Sequence, residues 1–409
     1  MRRRCFLGLP LLSTLGVTGA APRVDAASDS GPGPASGASG IKLFLCGDVM
    51  TGRGIDQILP HPADPQLYEP YLTSALQYVR LAERANGPIP RRVDFDYIWG
   101  DALKLLADAA PDARIVNLET AVTRSDDAWP GKGINYRMHP ANLPCLTAAG
   151  IDCCTLANNH VLDWGYAGLQ ETLTSLQHAG LHSAGAGANS AEAMAPAVIE
   201  LDGDRRLIVF AMGSPSSGVG RVWAATGQKP GVWLLPELSR AGVEAVARQV
   251  DAVRRAGDIV IASIHWGSNW GHDIPREQRR FAHALIDRAG VDLVHGHSSH
   301  HARAIEVYGD RLILYGCGDF INDYEGIRGY EAFRGDLAVM YLPTLDATDG
   351  TLAEMSMQVM QLHRFRLRRA APEDSRWLAG VLDRESRKFG TGVALDGEAL
   401  RLEPCVATG

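Results

Sequence analysis

The sequence predicts an α/β fold, and three observations predict it. Short apolar runs of strand type alternate with stretches of helical periodicity. The apolar runs repeatedly end on a carboxylate, an amide or an imidazole, the position at which an α/β sheet opens its ligand crevice. The composition, 46% hydrophobic and 21% charged over 409 residues, suits a chain that buries a sizeable core without disulfide staples.

Taken in order, residues 1–26 read as an export signal peptide. Arg2, Arg3 and Arg4 precede a mildly apolar run, and Val24-Asp25-Ala26 suits a small-residue cleavage site. Arg3-Arg4-Cys5-Phe6-Leu7 resembles the twin-arginine export signal, the alternative being an ordinary secretory signal. Either route predicts an exported protein, periplasmic or extracellular. The segment holds four Arg and one Asp, so its removal takes the net charge from −7 to −10. Residues 27–40, rich in Ser, Gly, Pro and Ala, read as a flexible linker, and 41–409 as a single domain.

Within that domain, 41–46 is a buried strand ending at Gly47-Asp48. The Pro-rich stretch 59–92 reads as an inserted loop with short helical parts. A helix pattern over 97–110 leads to a strand over 113–118 ending at Glu119, and a strand over 152–156 ends at Asn158-Asn159-His160. Leu169, Leu173 and Leu176 mark a helix over 164–179. A strand over 258–264 ends at His265, Pro275 opens a helix over 275–289, and a strand over 292–294 ends at Gly296-His297. A further strand covers 311–315. Residues 337–409 close the domain, with strands over 337–342 and 355–367 and a terminal helix over 377–389.

Several function classes fall away. The chain is net acidic and shows no basic patch, which argues against nucleic acid. No apolar run reaches the roughly 18 residues a membrane helix needs. Cys46, Cys145, Cys153, Cys154, Cys317 and Cys405 follow the leader's Cys5, with no C-x-x-C pair, and most lie in strand-like runs that predict burial. Gly131-Lys132-Gly133 lacks the Walker spacing, and no H-E-x-x-H or G-x-S-x-G occurs.

The strand-end residues Asp48, Glu119, Asn159, His160, His265, His297 and His300, far apart in sequence, are expected to converge. Three imidazoles, two carboxylates and an amide suit one or two divalent ions, with Mn, Fe and Zn equally compatible. Two such ions about 4 Å apart activate a water and clamp a phosphoryl oxygen. Asp163, three residues after His160, either orients its imidazole or caps the following helix. Arg53 either binds an anionic group or is a solvated loop residue. Trp266 and Trp270 either wall a substrate pocket or serve as core aromatics.

The order G-D-V-M (47–50), N-L-E (117–119), N-N-H-x-x-D-x-G (158–165), H-W-G (265–267) and G-H-x-x-H (296–300) resembles the capsule-synthesis CapA family, linked to poly-γ-glutamate synthesis and similar to calcineurin-like metallophosphoesterases. The resemblance implies a four-layer αββα sandwich with Asp48, Glu119, Asn159, His265, His297 and His300 holding metal. It implies His160 as the general acid beside a metal-activated water. Three departures stand out: Met50 replaces the first motif's His, Glu119 replaces the bridging Asp, and the last pair is H-x-x-H. Two functions follow as alternatives. One is a metal-dependent hydrolase acting on a phosphoester or an anionic polymer. The other is a non-catalytic accessory protein that binds the polymer's carboxylates and docks on a membrane-bound polymer synthase complex.

Overall fold

The computed structural model describes residues 40–404. The expected signal peptide (1–26), nearly all of the expected linker (27–40) and Cys405 lie outside the described residues. Among the described residues, no helix is long and apolar enough to cross a membrane.

The fold is mixed α/β, built on two large sheets. In the ten-stranded sheet, Ile41–Val49 is central. On one side it pairs parallel with Ala113–Leu118, then Cys153–Thr155, then His182–Ala184. On the other it pairs antiparallel with Leu337–Leu345, which leads to Leu352–Leu362 and the hairpin of Thr391–Asp396 and Ala399–Pro404. The six-stranded sheet has a parallel centre, Arg205–Gly213, Ile259–His265, Leu293–His297 and Arg311–Leu314, with antiparallel edges Ala197–Leu201 and Ile305–Tyr308.

Period-two alternation splits the six-stranded sheet between two cores. Leu207, Val209, Ala211, Ile259 and Ile261 join the cluster that contains the ten-stranded sheet. Ile208, Phe210, Met212, Val260 and Ala262 join another, with Val243, Val246 and Val250 of helix Arg240–Val253 and Phe281 and Leu285 of helix Arg276–Ala289. Helices Ala102–Ala109 and Gly165–His178 contribute Leu105, Leu106, Leu169 and Leu176 to the first cluster.

The elements depart from the sequence reading in several places. The strands carrying Asp48, His265 and His297 run through those residues, because backbone pairing continues to Asp48↔Asn117 and His265↔His297. The expected loop 59–92 holds a twelve-residue helix, Ala75–Asn86, closed by a Ser74/Gln77 capping box. The terminal helix starts earlier, at Pro372, where Pro at its first turn loses no hydrogen bond, and it ends at Ser386, leaving Trp377 36% exposed. Met355, Met357 and Val359 form one buried face of their strand.

Two glycines let the strands carrying the polar residues approach their neighbours. A Cβ on Gly47 would stand 1.6 Å from the Gly318 carbonyl oxygen, and one on Gly296 would stand 2.5 Å from that of Leu314. Gly47→Ala is therefore expected to cost about 3 kcal/mol or more, since backbone must move. Gly380, in the terminal helix with nothing near its Cβ position, is the contrast: Gly380→Ala should add about 0.5–1 kcal/mol by lowering unfolded-state entropy. Denaturant unfolding of both variants checks the pair; equal effects would contradict the packing described.

Candidate metal centre

Asp48 is fully buried between two parallel neighbours, with Cα partners Asn117 on one side and Asp319 on the other. Asn117 Nδ2 donates to Asp48 Oδ1 at 2.7 Å, and the Ser298 backbone N–H donates to Oδ2 at 3.2 Å. Ser298 makes that bond from φ = +104°, a strained backbone for a residue with a Cβ. Asn158 holds the next loop: its Oδ1 accepts from the backbone of His160 and Val161, and its Nδ2 donates to Leu118 O at 2.9 Å.

A chain of polar contacts runs from this loop through both sheets. Asn159 Oδ1 lies 2.9 Å from His265 Nε2, His265 Nδ1 is 2.8 Å from His297 Nδ1, and His297 Nε2 is 2.9 Å from Ser263 Oγ. Ser263 Oγ is 3.1 Å from His295 Nδ1, and His295 Nε2 is 2.7 Å from the Cys46 carbonyl oxygen.

The donor directions in this chain test whether a metal ion fits. Cys46 O only accepts, so His295 Nε2 carries its proton and Nδ1 is a lone pair. Ser263 has one hydroxyl proton. Giving it to His295 obliges His297 Nε2 to donate to Ser263, which leaves His297 Nδ1 as a lone pair. Asn159 Oδ1 accepts from His265 Nε2, so His265 Nδ1 is a lone pair as well. These two lone pairs converge with Asp48 Oδ1, which lies 3.9 Å from His297 Nδ1. With the Asn159 amide oxygen facing His265, a cation among the three satisfies every contact with neutral rings. Asp48, His265 and His297 thus form a group whose ligand atoms could hold a metal ion, and Asp48, His300 and Asp319 form a second. In the second, His300 Nδ1 is 2.9 Å from Asp319 Oδ1, and Asn322 Nδ2 donates to Asp319 Oδ2 at 2.9 Å.

Glu119 is buried, with Oε1 3.7 Å from His160 Nε2 and 3.9 Å from His265 Nε2, and its Oε2 has no partner. Burial, then the charges of Asp48 and Asp319, push its carboxyl well above the usual range. Burial and Asp319 push Asp48 up to about 7, against the bond from Asn117. Burial drives His265 and His297 well below the usual imidazole value, keeping both neutral and ready to ligate.

His160 lies at the edge of this group. Its Nδ1 is 2.6 Å from Asp163 Oδ2, and its ring meets Tyr136 edge-on at 4.6 Å. Lys132 Nζ reaches Asp163 Oδ1 at 2.5 Å and sits 3.1 Å from His160 Nδ1. The shorter carboxylate contact places the proton on Nδ1 and turns the Nε2 lone pair toward Glu119. Asp163 also accepts from Tyr136 N at 2.7 Å, while helix Gly165–His178 has no side-chain cap, so Asp163 orients His160 and caps nothing.

Two expected substrate contacts lie elsewhere. Arg53 is buried, its guanidinium bonded to Asp323 at 2.8 and 2.5 Å and to Glu69 at 3.1 Å and stacked 3.5 Å over Tyr78, so no donor face is left for an anion. Trp266 is a core residue: the turn after His265 sends it to the opposite side, where it stacks on Tyr315 and donates to Tyr315 O at 3.0 Å. Trp270 instead stacks on Tyr330 at 4.0 Å and lies 5.3 Å from the His300 ring. With Asn322, Tyr324, Arg334 and Arg368 it lines a cleft of about 510 Å³ beside His300.

The model of the family described as bacterial capsule synthesis protein PGA_cap matches residues 42–324, more than half of the chain. The chain belongs to that family. Among similar proteins, a probable polyglutamine synthesis accessory protein of Mycobacterium tuberculosis is 49% identical over 354 residues, 86% of this chain and 93% of its own. The PGA biosynthesis protein CapA of Bacillus subtilis is 26% identical over 302 residues, 74% of this chain and 67% of its own. The solved structure of GAP50, the anchor in the inner membrane complex of Plasmodium, aligns over 78% of this chain and 88% of its own at 8% identity, with a TM-score of 0.29. Every motif assigned above to this PGA_cap chain's Asp–His groups falls inside the matched span.

Two outcomes follow from the geometry. Between its unfolded value near 4 and its folded value near 7, Asp48 holds a proton in the native state that the unfolded chain lacks. Its contribution to stability therefore falls as pH rises through that window and is fully lost above about 7. Asp48→Asn should raise the unfolding temperature of metal-free protein at pH 8 and abolish the further rise caused by Mn²⁺ or Zn²⁺. The wild-type affinity should climb with pH about tenfold per unit for each displaced proton, levelling off near 7. An unchanged metal response in the variant would contradict the assignment. Separately, His295→Gln keeps one acceptor for Ser263 and one donor for Cys46, whereas His295→Leu keeps neither. Competition titration should show metal affinity near wild type for Gln and weakened about tenfold or more for Leu.

Proposed function

We propose that the protein is an exported accessory factor of poly-γ-glutamate or capsule-polymer synthesis that acts as a metal-dependent hydrolase of metallophosphoesterase type, its two sheets and flanking helices forming a four-layer αββα sandwich. Family membership and the names of its relatives support the polymer context. One observation supports chemistry over binding: beside a pair of metal-competent Asp–His groups stands an imidazole whose outer nitrogen is tied to a buried carboxylate and whose inner nitrogen is free to face a substrate.

In this reading Asp48, His265 and His297 would hold one ion and Asp48, His300 and Asp319 a second, with Asn159 fixing the far nitrogen of His265 and Glu119 standing beside His160 and His265. A bound Mn, Fe or Zn ion would supply Lewis-acid activation of a water and a positive clamp on a substrate oxygen. The protein's own residues do the rest. Asp163 fixes the His160 tautomer. Burial, and next to it the Lys132 charge, hold His160 down to about 4 against the pull of Asp163. At rest it is therefore neutral, and the negative charge of a bound substrate beside Nε2 draws a proton onto that nitrogen from solvent water, ready for the ester oxygen as its bond breaks. It then gives that proton up to the leaving group. The Trp270–Tyr330 cleft beside His300 is where the rest of the substrate would lie. The protein would work in the periplasm or outside the cell, docked on a membrane-bound polymer synthase complex.

A second reading rests on Met50, which stands where the resembled enzymes carry a His and instead accepts a 3.7 Å contact from Tyr324 OH. A centre altered at that point suits a protein that binds polymer carboxylates without turnover. His160→Ala separates the readings. Hydrolysis predicts a loss of about 10²–10⁴ in rate, with metal content kept and alkyl phosphates suffering more than activated aryl phosphates. Metal content and turnover of both esters are measured in wild type and variant. Full activity in the variant removes His160 as the acid, and an inactive metal-loaded wild type favours polymer binding.

A further inference from the structure

The described residues contain four buried arginines, and they are not alike. Arg53, Arg137 and Arg206 each have a carboxylate within reach, at 2.5 Å to Asp323, 2.6 Å to Asp126 and 2.5 Å to Asp258. Arg303 is 2% exposed and has no carboxylate within 4.0 Å among the described residues. Its Nη2 donates to Ser268 O at 2.6 Å and to Ser268 Oγ at 3.0 Å, and its Nε has no partner. A buried charge is ordinarily paired, because desolvation without a partner costs several kcal/mol.

The surroundings repeat the pattern. Of the eleven buried side-chain N and O atoms without a partner among the described residues, five belong to one neighbourhood: Arg303 Nε, Gln278 Nε2 and Oε1, His301 Nε2 and His272 Nδ1. Gln278 is 1% and His301 2% exposed. Gln278 Nε2 and Arg303 Nη1 both border the Cβ position that Gly267 lacks, at 2.7 and 3.3 Å. The His272 and His301 rings meet edge-on at 4.6 Å. Asp273, exposed at the end of the loop, is the acid whose charge reaches Arg303, and Glu385 and Arg384 of the terminal helix and Lys388 of the turn after it act on His272.

We infer that the loop following His265 covers a second ligand site, in which Arg303 and Gln278, with His301 and His272 beside them, bind a small oxyanion. Arg303 supplies the charge and unused N–H groups, and Gln278 a further donor. Phosphate and carboxylate share the chemistry this site reads. The covering loop turns at Gly267 and Gly271, both at positive φ, and its Ser268 and Asn269 are exposed. Asn269 O accepts from His300 N at 2.9 Å, and Asn269 Nδ2 lies 3.0 Å from His300 Nε2. An anion on Arg303 and Ser268 therefore steadies the same loop that holds His300.

The test is calorimetric titration of the purified protein, with a chelator present, against inorganic phosphate and separately against L-glutamate. Wild type and Asp48→Asn should bind alike. Arg303→Met and Gln278→Leu should each weaken binding about tenfold or more. Response to one anion alone names the natural source, and response to both names the shared oxyanion. Arg303→Met should also unfold at the same or a higher temperature than anion-free wild type, since it removes an unpaired buried charge. No binding of either anion by wild type overturns the inference, as does unchanged binding in both variants. A lowered unfolding temperature in Arg303→Met without any anion response in wild type would make Arg303 a structural prop. Gln278→Leu, which leaves the charge in place, keeps the test decisive if Arg303→Met does not fold.

Discussion

Three carboxyl groups, Asp48, Glu119 and Asp319, are buried together where the central strands of the larger sheet end. In a dry interior they cannot all be ionised without a cation among them. The rest of the centre answers that constraint. Asn117 and the Ser298 amide donate hydrogen bonds to Asp48, and Asn322 donates one to Asp319. His300, whose ring is pulled toward protonation by Asp319 against its own burial, supplies partial positive charge. Protons offset the remaining deficit, and a divalent ion held by the Asp–His groups would compete with them for the same oxygens.

The histidine side of the centre obeys a different constraint, the supply of hydroxyl and imidazole protons. Thr155, Ser263, His295 and the Cys46 carbonyl join the two sheets across an otherwise apolar interface, with Ser263 Oγ 3.2 Å from Thr155 Oγ1. A polar seam in a hydrophobic core is tolerable only when every member is satisfied. The seam ends on His297, whose Nδ1 faces both His265 Nδ1 and Asp48. The seam also resists sliding of one sheet over the other, which would leave those groups unpaired.

Much of this was legible in the sequence, and particular residues show why. Asp48, Glu119, Asn159, His265, His297 and His300 each follow an apolar run, so the strand-end rule finds them, and the structure gathers them. The supporting residues lie one step inward. Ser263 precedes His265 by two and His295 precedes His297 by two, so period-two geometry places each pair on one face. That signal was present and is the one that could have found the seam. Arg53 was not legible, because its partners Glu69 and Asp323 lie 16 and 270 residues away. Lys132 sits between glycines with no periodicity to announce it. The strand Arg205–Gly213 ends on glycine rather than on a reactive residue, so a search for functional strand ends passes over it.

The position of Ile41–Val49 has a consequence for how the chain acquires its shape. This early strand is flanked by Leu337–Leu345, with Ile41 opposite Leu345. The larger sheet therefore cannot close until some three hundred further residues have been made and brought back to it. Until then the strand's edge is unpaired and apolar, the kind of surface that attracts wrong partners. The centre likewise draws together residues from Asp48 to Asp319. A nascent chain stalled short of its final strands therefore carries every residue of the Asp–His groups, the last being Asp319, on a sheet that is still open along its central strand.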